Sequence, residues 1–255
     1  MMSIFILCIL FFVIATLYSS VGFGGGSSYL AILALITVSF FEMRSLALLC
    51  NIIVVSGSTY WYIKKGHFKI SEFLPFIVSS IPMAFLGASF KLSENLFFVI
   101  LGIVLMMASF FLIWQTKISA KVDEKRTVSY SSVFNYILGA AIGLLSGMVG
   151  IGGGIFLAPI LHYFKWGTSL KIASLASFFI LVNSISGLGG LVFSGTFEVP
   201  IWTLVFLGLA VFIGGQVGVR LSFVKLSPKG IKLLTALLVF IVGLRIILIH
   251  SLDMF

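Results

Sequence analysis

The sequence predicts an all-α integral membrane protein, a polytopic helical bundle of two inverted five-segment repeats with glycine-rich helices that are broken or re-entrant. Three observations carry that expectation. Of the 255 residues 60% are hydrophobic and 9% charged, with a mean hydropathy of +1.25. Leu96 to Trp114 alone is a nearly unbroken apolar run of the ~20 residues a helix needs to cross the hydrocarbon, without the alternation of a membrane β-barrel. Second, VGFGGGSSYLAIL (Val21 to Leu33) returns as VGIGGGIFLAPIL (Val149 to Leu161), identical at seven of thirteen positions. Third, the Lys and Arg residues divide unevenly between the two faces of one topology and evenly in the alternative.

The first segment, Ser3 to Ser19, lacks the basic start of a signal peptide and aligns with Ser131 onward at an offset of 128. It is therefore read as part of the repeat and retained. The glycine stretch follows. Backbone polar groups at membrane depth cannot be left unpaired, so non-helical chain there needs a reason. Gly22, Gly24, Gly25 and Gly26, and their counterparts Gly150, Gly152, Gly153 and Gly154, permit left-handed dihedrals and close approach of a ligand to the backbone. Each stretch leads into a segment whose first N–H groups lack internal partners, the makings of an anion site. Close helix packing is the competing use of glycine, but it favours an i,i+4 spacing on one face, which three consecutive glycines break. Neither copy has the last glycine of GxGxxG, since Ser27 and Ile155 stand there, and no Lys-Ser/Thr follows; nucleotide-loop readings fail.

The remaining segments before the centre are Ser27 to Phe41, Ser45 to Tyr62, Glu72 to Phe90 and Asn95 to Trp114, completing a first membrane unit over 1–114. Gln115 to Tyr130 is the one polar stretch of any length and is read as a cytoplasmic linker. The second unit, 131–255, holds Ser132 to Gly147, Ile155 to Phe164, Ile172 to Phe193, Pro200 to Val219 and Ile231 to Ile249. Gly66-His67-Phe68 matches Gly195-Thr196-Phe197, and Lys91-Leu92-Ser93 matches Lys225-Leu226-Ser227, in the order that a duplication demands.

Treating Ser3 to Phe41 as one broken traversal divides the sixteen basic residues eight against eight. If the chain reverses at the glycines, as two crossings or as a hairpin, one face collects all but Arg44, Lys91 and Arg245. Thirteen against three identifies the rich face as cytoplasmic, puts both termini outside and makes the repeats inverted. Ile155 to Phe164 would span only ~15 Å as a helix, half the hydrocarbon thickness, which favours a re-entrant hairpin in the second half. Trp61, Trp114, Trp166 and Trp202 stand at segment ends, as interfacial belts predict.

Topology also accounts for the net charge of +9, so no nucleic-acid partner is expected. Cys8 and Cys50 lie in apolar segments without metal or disulfide spacing, and neither a metal nor a cofactor is expected. The seven acidic residues all fall in loops or at segment ends; no carboxylate awaits a cation at the midplane. Asn51, Asn183 and Gln216 are polar residues inside apolar segments, joined by Ser27 just after the first glycine run. They are candidate substrate contacts, with interhelical hydrogen bonding as the alternative. His67, His162 and His250 sit at loops or ends and no Asp is buried, so an intramembrane enzyme is the least supported class.

GLLSGMVGIGGGIFLAPIL (Gly143 to Leu161) resembles the glycine-rich signature of the TauE/SafE, or sulfite exporter, family, and the resemblance covers essentially the whole chain. It implies a multi-pass transporter of the prokaryotic inner membrane handling sulfite, organosulfonates or related small sulfur-containing anions. The halves depart from one another: Ala31 replaces Pro159, and Ser27-Ser28-Tyr29 replaces Ile155-Phe156-Leu157. The expectation is a secondary transporter of a small anion working by alternating access between the repeats in a lipid bilayer, compatible with a homo-oligomer. An anion channel is the alternative.

Overall fold

The computed structural model describes residues 4–36, 39–119, 130–222 and 229–252. These form ten helices: α1 Ile4–Ser19, α2 Gly26–Leu33, α3 Phe40–Lys64, α4 Ile70–Ser89, α5 Glu94–Ser119, α6 Ser132–Val149, α7 Gly154–Tyr163, α8 Ser169–Phe193, α9 Ile201–Ser222 and α10 Lys229–Leu252. Among the described residues six helices are long and apolar enough to cross a membrane: α3, α4, α5 over Glu94–Phe111, α6, α8 and α9. Large side chains such as Phe5, Phe110, Ile137 and Trp202 are exposed on the outer surface, an apolar exterior of the kind that lipid covers. The protein is a multi-pass helical membrane protein.

Several boundaries differ from the hydropathy reading, and the causes are local. α3 begins at Phe40 because Ser39 Oγ accepts a hydrogen bond from the Glu42 N–H, which starts the helix five residues ahead of the apolar run. Thr168 likewise accepts from the Lys171 N–H, so α8 begins at Ser169, not Ile172. α5 stays helical through Ser119, into the stretch read as linker; residues 120–129 lie outside the described residues. Trp166 is buried against Phe73 and Phe76, packed inside the protein and not in an interfacial belt.

Helix directions follow from close contacts at small residues. On α6, Gly139, Gly143 and Gly147 lie against the backbone of Phe76, Ser80 and Ala84 on α4, so these helices run parallel. Gly214 and Gly218 of α9 lie in the same way against Phe12 and Thr16 of α1. Gly102 of α5 meets Gly243 of α10, while Ser109 Oγ donates to Ala236 O; α5 and α10 are antiparallel. α3 and α8 also cross antiparallel, with Leu48 beside Gly187 and Asn51 and Ile180 both at Gly24.

The two short helices lie inside this frame. All eight residues of α2 are buried, as are seven of the ten in α7. At ~1.5 Å per residue they reach about 12 and 15 Å. Irregular chain at this depth is tolerated because protein, not lipid, surrounds it.

Candidate functional site

Both short helices start from a left-handed glycine. Gly25 (φ 97°) precedes α2 and Gly153 (φ 81°) precedes α7, a conformation that costs an L residue roughly 1–2 kcal/mol. The first ladder bonds run from Ser28 and Tyr29 N–H to Gly25 O, and from Phe156 and Leu157 N–H to Gly153 O. The N–H groups of Gly26, Ser27, Gly154 and Ile155 precede any intrahelical acceptor, and both helix starts carry partial positive charge.

The loops converge on Asn51, which is fully buried at the crossing of α3 and α8. Its Nδ2 donates to Ile151 O at 3.1 Å, joining α3 to the second loop, while its Oδ1 has no hydrogen-bond partner. A Cβ on Gly24 would fall onto Asn51 Oδ1, one on Gly26 would lie 2.5 Å from Nδ2, and one on Gly152 3.1 Å from Nδ2. Gly22 accepts from Ser177 Oγ at 2.9 Å and lies against Ala173. Gly150 lies against Arg44, and Gly154 against Ile180.

The other predicted contacts divide. Asn183 is 1% exposed with neither amide atom bonded. It stands three residues beyond Ile180, the α8 residue that faces Asn51 across Gly24 and Gly152. Ser27 is buried, with its hydroxyl 3.2 Å from Tyr18 Oη. Gln216 is not part of the cluster: Trp61 Nε1 donates to its Oε1 at 3.2 Å, and its Nε2 faces Gly57. Gly57 lies six residues beyond Asn51, about 9 Å along α3, so Gln216 joins α3 to α9 near their ends.

Sequence reasoning missed Arg44. Hydropathy puts it between segments, as a loop charge, but it is 1% exposed, and its Nη2 donates to Ala88 O at 3.2 Å and Gly147 O at 3.3 Å. Those carbonyls lie in the last turns of α4 and α6, whose negative ends suit a cation. The Phe97 ring lies 5.7 Å away. The Ser39-x-x-Glu42 cap was the available signal that Arg44 is inside a helix. Among the residues whose burial is described, Arg44 is the one buried charge and no acidic residue is buried. Nor do the described residues hold a cluster of three or more His, Cys, Asp or Glu that suits a metal.

The site thus gathers buried backbone donors and neutral amides beside two helix starts of positive partial charge, with no buried carboxylate among the residues whose burial is described. The chain matches the family model for Sulfite exporter TauE/SafE over residues 7–246. It is 30% identical over 246 residues, 94% of this chain and 97% of the relative, to a Sinorhizobium fredii (strain NBRC 101917 / NGR234) protein named probable membrane transporter protein y4hK. It is 26% identical over 271 residues, covering 96% of this chain and 98% of the relative, to probable membrane transporter protein YunE of Bacillus subtilis (strain 168). No solved structure matches. With the match running almost from end to end, the chain belongs to the TauE/SafE family of membrane transporters.

Proposed function

We propose that the protein is a secondary transporter of a small sulfur-containing oxyanion, sulfite or an organosulfonate, and that it works by alternating access around the two glycine loops. The observation that carries this reading is the convergence on Asn51 of two loops, each leading through a left-handed glycine into a buried helix start. Half-helix starts of this kind favour negative ligands near the midplane. The family's description as sulfite exporters supports the substrate class.

The repeats are inverted in this reading. The antiparallel course of α5 against α10 and of α3 against α8 supports it, because a two-fold axis that reverses equivalent helices lies in the membrane plane. Helix neighbours support it as well: α4 packs on α6 as α9 packs on α1, and α5 on α7 as α10 on α2. The Lys/Arg bias assigns 115–130 to the cytoplasm and both termini to the outside of the inner membrane.

Proteoliposomes containing the purified protein test the function. Sulfite or methanesulfonate inside the vesicles is expected to drive saturable counterflow of labelled sulfite. Gly153→Leu is expected to reduce it to background while the protein still inserts, since the added side chain would enter Ile142 and Phe179, each 2.9 Å from a Cβ there. Flux that never saturates and appears as current would identify a channel, and absence of anion flux in the wild type would refute the reading.

A further inference from the structure

The two glycine loops differ in what their neighbours leave unsatisfied. At the first loop, Tyr18 Oη lies 2.7 Å from Ser28 Oγ and 3.2 Å from Ser27 Oγ. The neighbouring Ser19 Oγ donates to Gly215 O at 3.0 Å. The Tyr29 ring, stacked on Phe11, covers Gly25: a Cβ there would lie 2.7 Å from its Cζ and 2.8 Å from its own unpaired hydroxyl. Two tyrosines close this loop, and its serines are bonded to protein.

At the offset of 128 that superposes the motifs, Tyr18 becomes Ser146 and Tyr29 becomes Leu157. Ser146 and Ser184 are 1% and 0% exposed, and neither hydroxyl has a hydrogen-bond partner. Ser146 Cβ stands 3.2 Å from the place of a Cβ on Gly153, and Ser184 Oγ stands 3.2 Å from that on Gly152. Asn51 Nδ2 lies 3.1 Å from the same point on Gly152. Asn183, its amide unpaired, is one turn beyond Phe179, which touches Gly153. A fold seldom leaves several desolvated polar groups unmet in one place, least of all when the matching place in its other half has its serines paired. They mark where a ligand completes the hydrogen bonding.

We propose that the anion binds one-sidedly, at the second loop, with the Ser146 and Ser184 hydroxyls, Asn183 Nδ2, the Asn51 Nδ2 N–H not used on Ile151 O, and the first N–H groups of α7 donating to its oxygens. The first loop then serves as the closed half of the transport element. This assignment rests on the anion-transport reading and adds to it an asymmetry that the duplicated motif hides.

Binding of sulfite and of methanesulfonate to the full chain in nanodiscs, by calorimetry, tests it against Ser28→Ala in the first loop. Ser146→Ala and Ser184→Ala are each expected to weaken binding about ten-fold, with melting of the ligand-free protein unchanged. Ser28→Ala is expected to stay within about two-fold, because Tyr18 keeps Ser27 as a partner. Should Ser146→Ala not fold, Ser146→Cys, which keeps the volume and weakens the donor, is expected to lower affinity in its place. Equal losses from Ser28→Ala and Ser146→Ala would overturn the one-sided site in favour of a symmetric one. Wild-type affinity in Ser146→Ala and Ser184→Ala together would overturn it outright while leaving anion transport standing. A wild-type protein that binds neither probe would instead remove the transport reading, and the site with it.

Discussion

Arg44 illustrates at the residue scale how this membrane protein compensates a buried charge. No carboxylate pairs with its guanidinium among the described residues; the compensation comes from two helix-end carbonyls, Ala88 O and Gly147 O. Removing the side chain strands both carbonyls, at about 1–3 kcal/mol for each desolvated group. Arg44→Met is therefore expected to lower the melting temperature in detergent by on the order of 5–10 °C. Arg44→Lys, a point charge without the planar fork, should fall between that variant and the wild type. Unchanged melting in Arg44→Met would mean that the α4 and α6 ends find other partners. At the position of Arg44 in the second half stands Ala173: Gly150 lies against the one as Gly22 lies against the other. The half that carries the buried cation contacts the loop with the unpaired hydroxyls.

At the scale of elements, glycine has two uses here, and the contacts separate them. Gly139, Gly143 and Gly147 form an i,i+4 row that brings α6 onto the α4 backbone, where a Cβ on Gly143 would lie 2.6 Å from Ser80 O. Backbone cannot yield as a side-chain tip can, so Gly143→Ala is expected to reduce the monodisperse fraction extracted in detergent and its melting temperature. Gly189 is helical too, but its Cβ would meet only Phe85 at 3.6 Å. Gly189→Ala should be neutral or stabilising by up to about 1 kcal/mol, from helix propensity. Equal melting of the two variants would contradict the packing role of the α6 row.

The duplicated run at Val21 and Val149 was legible in the sequence because three adjacent glycines fit no packing pattern, and the half-length of α7 because Lys165 ends its apolar run. The starts of α3 and α8 were not, since hydropathy is blind to Ser39 and Thr168, whose effect is a single hydrogen bond each. Asn51 stood out as an amide in an apolar helix. Ser146 did not, because a lone serine among glycines reads as packing until its partners are counted. Gln216 looked equivalent to Asn51 from composition alone; only the position of Trp61 on α3 separates them.

For the whole molecule, the decisive question is which end each helix presents, and polar contacts already group the ends. Glu72 in the first turn of α4 pairs with Lys171 in the first turn of α8 and, at 3.4 Å, with Lys69. The Arg220 guanidinium lies 5.7 Å from the Trp61 ring, and Lys64 Nζ lies 5.3 Å from it. Lys64, Lys69, Lys171 and Arg220 thus share one end of the bundle, the end assigned to the cytoplasm by the basic-residue bias. At the opposite end, Glu198 receives the Ser39 hydroxyl and donates its N–H to Ser45 Oγ. If α1–α2 and α6–α7 are re-entrant hairpins, each returns to the face from which it entered. In a Cys8→Ala/Cys50→Ala background, single cysteines at Ile4 and Ser93 should then react with an impermeant maleimide from outside. Those at Lys65, Ser131 and Lys165 should react only from the cytoplasmic side. A glycine stretch that crossed the membrane once would instead place Ile4 with Lys65 and separate Ser131 from Lys165. That pattern would make the repeats parallel and refute the proposal that two helix starts reach Asn51 from opposite faces.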